Sequence, residues 1–437
     1  MSVSRFLSVL ALLGVSACAS SPASHVPPVH ARQASPRVAQ LYGDGGVSDF
    51  YRAGIVMPKP GVLIRQEDMA LAKLPPNTAR GIRILYSSTS GVGTGTPVAV
   101  SGQVLIPDGP TPKGGWPVVA WEHGTTGIAD VCAPSWRGYA SRDRAYLGRW
   151  LKEGFAVVAT DYQGLGTPGP HPYLLYRPEA YSALDAVRAS LAAFGPLLRN
   201  RIVLVGQSQG SGAALGAAWV APHYAPELHV RAVVATGLVA EFAIPAHPAH
   251  VPLPNVYTDP GQMDAAFAML RVEGTDQSLH PETDDRVALT ANGIAMSQVA
   301  RTACLHDLFD YADRNHVDAK TLFGPGLKSY EETRTTAFLI PDGHIGMPVF
   351  AGTGLADGEA GVNGQYNAVA AMCDAGTNVV WKRYPGLTHN GTVNASLADS
   401  VPFVRAVLAG HHPENTCRAI SRPGPVEAAT PGIPWNR

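Results

Sequence analysis

RIVLVGQSQGSGAALGAA, residues 201–218, decides the fold. The apolar run Ile202 to Val205 leads straight into Gly206, Gln207, Ser208, Gln209 and Gly210, and small residues follow as far as Ala218. A serine hydroxyl is a poor nucleophile until a base removes its proton, and a sharp strand-to-helix turn lifts it to where a base can reach. Glycine two positions before and two after the serine permits that turn, because side chains there would collide. Small residues cluster in many loops, so the pentapeptide alone says little. The strand before it and the helix after it make it a nucleophile elbow with Ser208 at the tip.

Outward from the elbow, β-rich runs recur at residues 82–87, 98–106, 118–122, 155–161, 202–206, 231–235, 348–351 and 379–384. The first two alternate polar and apolar residues, as an antiparallel edge does, whereas 118–121, 156–159 and 202–205 are continuously apolar, as buried parallel strands are. Helical stretches at 140–153, 179–194, 210–220, 364–375 and 398–409 lie between them. The alternation predicts an α/β fold: an eight-stranded, mostly parallel sheet with helices on both faces. The interval from Ala235 to Pro348 far exceeds the roughly dozen residues a crossover needs. It is read as a helical cap inserted between the sixth and seventh strands. Met263, Phe267, Met269 and Leu270 in that interval fit either the lining of an acyl pocket or the cap's own core, and the core is the default.

In this fold class the acid and the base follow the elbow in chain order, on loops after late strands. Asp357 stands just past the run 348–354, and His389 follows the last strand. His389 is the expected general base toward Ser208, and Asp357 the group that fixes its tautomer. Glu359 is the competitor for the acid. Asp342 precedes the strand and Asp374 lies in the next helix, while His344 comes before strand seven and His411 and His412 come late in the sequence. A tetrahedral oxyanion needs N–H donors, for which the loop after the third strand offers Gly124 or Thr125, and the residue after the nucleophile offers Gln209. His123 is expected to order that loop.

At 437 residues, 46% hydrophobic and 15% charged, the chain reads as globular, and a net charge of −1 gives no field that would draw nucleic acid or anionic membrane. No obligate protein partner is evident. Arg5, the apolar stretch 6–15 and the small residues before Cys18 read as a lipoprotein signal peptide over 1–17, with Cys18 the lipidation site. A flexible tether over 18–44 would join an outer-membrane lipid anchor to the domain; the alternative is ordinary export. The hydrolase core is assigned to 45–239 and 346–410, the cap to 240–345, and a Pro-rich tail to 411–437. Beyond Cys18 there remain Cys132, Cys304, Cys373 and Cys417, enough for two disulfides in three possible pairings. Their spacing suits no metal site.

WEHGT at 121–125, DYQGLGTPGPHPY at 161–173, GQSQG at 206–210 and GLTHNG at 386–391 together resemble the bacterial branch of the secretory lipase family of α/β hydrolases, over about residues 45–410. The resemblance implies carboxylic-ester hydrolysis of a small-molecule or lipid substrate without a cofactor, the roles given to Ser208, Asp357 and His389, the inserted cap, and stabilising disulfides. Within it, the positions of the cysteines suggest Cys132–Cys304 between cap and core and Cys373–Cys417 on the tail. Gln207 and Ser211 depart from the family, which often has an aromatic residue or histidine and a second glycine there. The same constellation also permits a peptidase or amidase, and a fold retained by a non-enzymatic binding lipoprotein is the third reading.

Overall fold

The computed structural model describes residues 46–54, 56, 59–255, 262–282, 288–324 and 338–437. The expected signal peptide, Cys18 and expected tether lie outside the described residues, as do parts of the expected cap. In chain order the strands are β1 (Leu63–Asp68), β2 (Thr78–Thr89), β3 (Pro97–Pro107), β4 (Trp116–Glu122), β5 (Ala156–Thr160), β6 (Leu198–Gln207), β7 (Val230–Thr236), β8 (Glu241–Phe242), β9 (Leu339–Ile340), β10 (Val349–Gly354) and β11 (Val379–Tyr384). Nine of them form one sheet in the order β1-β2-β3-β5-β4-β6-β7-β10-β11. The half from β5 and β4 through β11 is parallel, and β1, β2 and β3 are antiparallel.

The sheet therefore has one strand more than the eight expected. The extra strand, β1, reads LIRQED and carries charge where an apolar alternation was sought. It is an edge strand, held by its ladder to β2 and by Arg80–Asp68 and Arg83–Glu67 pairs, so burial had no need to write a hydrophobic pattern into it.

Helices cover both faces. Tyr176, Leu184, Leu215 and Met372, on α2 (Tyr176–Phe194), α3 (Gln209–Tyr224) and α7 (Val362–Asp374), pack against one side of the sheet. Tyr146, Trp150, Val401 and Val404, on α1 (Ser141–Lys152) and α9 (Leu397–Leu408), pack against the other. α2 and α3 approach closely because Gly216 faces Tyr176, where a Cβ would stand 2.9 Å from the tyrosine Cβ.

Between β7 and β10 the chain builds α4 (Gln262–Leu270), a π-helical turn (Arg271–Asp276), α5 (Ala291–Ala300) and α6 (Leu305–Arg314). Met269 and Leu270 are buried with Met296, Leu308 and Leu322, and Phe267 packs on Phe309, so these apolar residues make a separate core of that segment. It meets the body through Ile128, Tyr173 and the Cys132–Cys304 disulfide. Cys373–Cys417 pins the Pro-rich stretch to α7. No described helix is long and apolar enough to cross a membrane.

Candidate active site

β6 ends at Gln207 and α3 begins at Gln209, which leaves Ser208 alone in the turn with φ 57 and ψ −125. A non-glycine residue rarely occupies that region, and doing so costs on the order of 1–3 kcal/mol. The flanking glycines make it sterically possible. A Cβ on Gly206 would lie 1.9 Å from the Gly210 carbonyl oxygen, and one on Gly210 would lie 1.9 Å from that of Glu122. Ser208 N–H donates to the Thr236 carbonyl at 3.0 Å, which ties the elbow to the end of β7. Ser211, one of the two departures from the family pattern, donates through Oγ to the Ser208 carbonyl at 2.6 Å and accepts the Val239 N–H at 2.8 Å.

Asp357 sits in the loop after β10 and is completely buried. Its Oδ1 accepts the N–H groups of Glu359 (3.0 Å) and Ala360 (2.9 Å), and its Oδ2 accepts Gln365 Nε2 (2.7 Å) and His389 Nδ1 (2.8 Å). His389 opens α8 (His389–Ala395), whose N-cap Thr388 accepts the Gly391 N–H. Glu359 reaches the other ring nitrogen, with Oε1 3.9 Å from Nε2. Asp374 pairs with His250 instead, and Asp342 is exposed beside His344. The carboxylate on Nδ1 is thus that of Asp357.

The imidazole lies on Gly237, the residue after Thr236. A Cβ there would stand 2.6 Å from His389 Cε1. The ring and Ser208 therefore share the carboxyl ends of β6, β7 and β10. Arg142 bridges β6 and α8, donating to Gln207 Oε1 at 3.0 Å and to Asn390 Oδ1. His389 Nε2 is buried and makes no hydrogen bond, with Ser208 or with any other described residue. Burial works against the imidazolium, but Asp357 and then Glu359 outweigh it and carry the His389 pKa up to about 9. Burial would likewise raise Asp357, but the adjacent His389 cation holds its carboxyl below the usual range.

Gly124 closes the third side. A Cβ on it would meet Gln207 Oε1 at 2.4 Å and Ser208 Cβ at 3.4 Å, so its backbone lies directly against the elbow. Gln209 is the first residue of α3, where backbone N–H groups have no partner within the helix. Its side chain is fixed by two residues that no spacing argument singled out: Nε2 donates to Glu179 Oε1 at 2.7 Å and to His171 Nε2 at 3.0 Å. Burial pushes His171 down to about 4, so the ring is neutral. With Nδ1–H donating to the Gln163 carbonyl, Nε2 is left as the acceptor. His171 belongs to the DYQGLGTPGPHPY stretch, the only sequence signal that could have pointed to it.

A parallel sheet crossed from an antiparallel edge, a serine elbow between β6 and α3, and acid and histidine loops after β10 and β11 define an α/β-hydrolase fold. The sequence model of the secretory lipase family matches residues 140–248. Lipase A of Arthroderma benhamiae is 23% identical over 425 residues, 88% of this chain and 85% of that protein. Lipase 7 of Candida albicans is 34% identical over 90 residues, a match spanning only 20% of either chain. Among solved structures, Candida antarctica lipase A in its closed state superposes with a TM-score of 0.63 at 19% identity, covering 88% of this chain and 90% of that one. The rice cell wall degrading esterase LipA from Xanthomonas oryzae, in a ligand-bound form, superposes with a TM-score of 0.57 at 19% identity, over 81% of this chain and 100% of that one.

Proposed function

We propose that the protein is a serine carboxylic-ester hydrolase, a lipase or esterase, working through an acyl-enzyme at Ser208. The observation that carries this is the Asp357–His389 pair, 2.8 Å apart and seated on Gly237 beside the strained serine. Ser208 Oγ attacks the ester carbonyl as its proton passes to His389 Nε2, which then delivers it to the departing alcohol. Water, deprotonated by the same nitrogen, releases the acid. Asp357 keeps the imidazole proton on Nδ1 and stabilises the cation. The N–H groups of Gln209 and of Gly124 or Thr125 receive the oxyanion. Similarity to proteins named as lipases and an esterase supports the ester class.

Placement on the family's bacterial branch, the division of the chain into hydrolase core over 45–239 and 346–410 and cap over 240–345, and export with a lipid anchor at Cys18 belong to the same reading. They rest on the N-terminal pattern, on the β7–β10 interval and on the match to a secretory family.

The test is turnover of matched p-nitrophenyl esters and anilides by the wild type and by Ser208→Ala. Ester cleavage should exceed amide cleavage, and Ser208→Ala should lower kcat about 10⁶-fold with folding intact. Retained ester turnover in that variant, or failure of a fluorophosphonate to label Ser208, would reject the assignment.

A further inference from the structure

The stretch 161–173, DYQGLGTPGPHPY, supplies neither nucleophile, acid nor base, yet three of its side chains, Tyr162, His171 and Tyr173, reach the loop after β4 and the residue after Ser208. We propose that it is the positioning device for the oxyanion donors, with Tyr162 as its central residue. The inference rests on the hydrolase reading above and assigns to that site a part no motif gives it.

Three contacts define the device. Tyr162 OH donates to the His123 carbonyl at 3.0 Å, His171 Nε2 accepts Gln209 Nε2 at 3.0 Å, and Tyr173 OH bonds Thr125 Oγ1 at 2.8 Å. All three rings are buried. The first contact has a geometric consequence. In a trans peptide the C=O and N–H point in opposite directions, so pulling the His123 carbonyl toward Tyr162 turns the Gly124 N–H the other way. His123 repeats the effect one peptide later. Burial lowers its pKa, so it is a neutral ring with one proton, and the 2.7 Å contact from Nδ1 to the Gly124 carbonyl holds the Thr125 N–H in the opposite sense. Among the described residues, neither N–H meets a loop or side-chain acceptor.

The local backbone is distorted to reach this arrangement. Tyr162 has φ 73, a region bulky residues avoid, and Thr160 Oγ1 accepts its N–H at 2.9 Å. Gly164 has φ 73 as well, and a Cβ on it would lie 2.2 Å from the Pro170 carbonyl oxygen. That close return brings His171 back over Tyr162, their rings stacked at 5.9 Å and 11°. One loop thus fixes the donors on both sides of the elbow.

Tyr162→Phe removes a single hydroxyl and keeps the ring stack. A positioning role predicts a fall in kcat of about 100-fold on a p-nitrophenyl ester, with KM unchanged. Affinity for a trifluoromethyl ketone, whose Ser208 adduct carries the oxyanion, should fall by the same factor. A merely structural role would lower thermal stability without that parallel loss. Wild-type kcat in Tyr162→Phe, or a kcat loss with ketone affinity retained, overturns the inference while leaving the hydrolase reading intact. An inactive wild type with an unreactive Ser208 overturns the hydrolase reading itself. Should Tyr162→Phe not fold, His171→Phe, which keeps an aromatic ring in the stack but cannot accept from Gln209, is measured in the same way and judged by the same outcomes.

Discussion

Asp357 Oδ2 and His389 Nδ1 stand 2.8 Å apart, and every other group that bonds the Asp357 carboxylate is also a donor. The Gln365 amide cannot reverse without cost, because its Oε1 already accepts the Leu238 N–H. The side chain is thus specified as an anion.

Asp357→Asn should therefore be severe although it is nearly isosteric. Its NH₂ must face donors in either orientation, and the imidazole is driven to the tautomer that protonates the nitrogen meant for the serine. A fall in kcat of about 10⁴-fold is expected, by analogy with the equivalent change in a Ser-His-Asp hydrolase. Esterase assays on folded protein check it; activity within tenfold of wild type would contradict the orienting role.

The pH profile follows from the charges facing His389, namely Asp357, Glu359 and Arg142. Only the neutral ring can act as a base, so a pKa raised to about 9 makes kcat/KM climb with pH well past the ordinary imidazole range. Glu359→Gln removes an anion that favours the cation and should move the inflection down. Arg142→Met removes a cation and should move it up. Opposite displacements in the two profiles are the signature; equal or same-sign shifts would reject it. In stability, the contribution from this raised pKa is full below the unfolded value of about 6.5 and is lost as pH rises through about 9.

Gly237→Ala places a Cβ 2.6 Å from His389 Cε1 at a backbone φ of 54. The ring must shift to admit it. Left-handed backbone costs a non-glycine residue about 1–2 kcal/mol, whereas a misplacement near 1 Å at a catalytic group costs about 100-fold in rate. The variant should fold, melt slightly lower and lose most of its turnover. Full activity would show that the ring is not held where the serine needs it.

Replacing Cys132 and Cys304 by serine opens a link of 172 residues between the body and the helical segment. The loss in unfolding free energy should be about 2–5 kcal/mol, measured by denaturant titration. Melting unchanged from wild type would contradict it.

Much of this was legible before the fold. The elbow, the parallel strands and the late loops bearing Asp357 and His389 are local patterns, since burial on both faces writes continuous apolar runs and a tight turn demands glycine at Gly206 and Gly210. β1 was not legible, because an edge strand held by backbone bonds and ion pairs carries no apolar period. Glu179, Arg142 and Gln365 were hidden for a related reason: a buried polar partner has no spacing rule, and Arg142 meets Asn390 across 248 positions of chain.

The sequence by itself determined where three groups sit along the fold: a serine at a bend, an aspartate and a histidine in loops behind later strands. Tertiary structure alone decided that Asp357 meets Nδ1 of His389 while Glu359 faces Nε2. It also turned the 161–173 loop onto the peptides beside the serine. Hydrogen-bond direction and close approach depend on which strands lie side by side, and that is set by packing the whole sheet rather than by any stretch of residues along the chain.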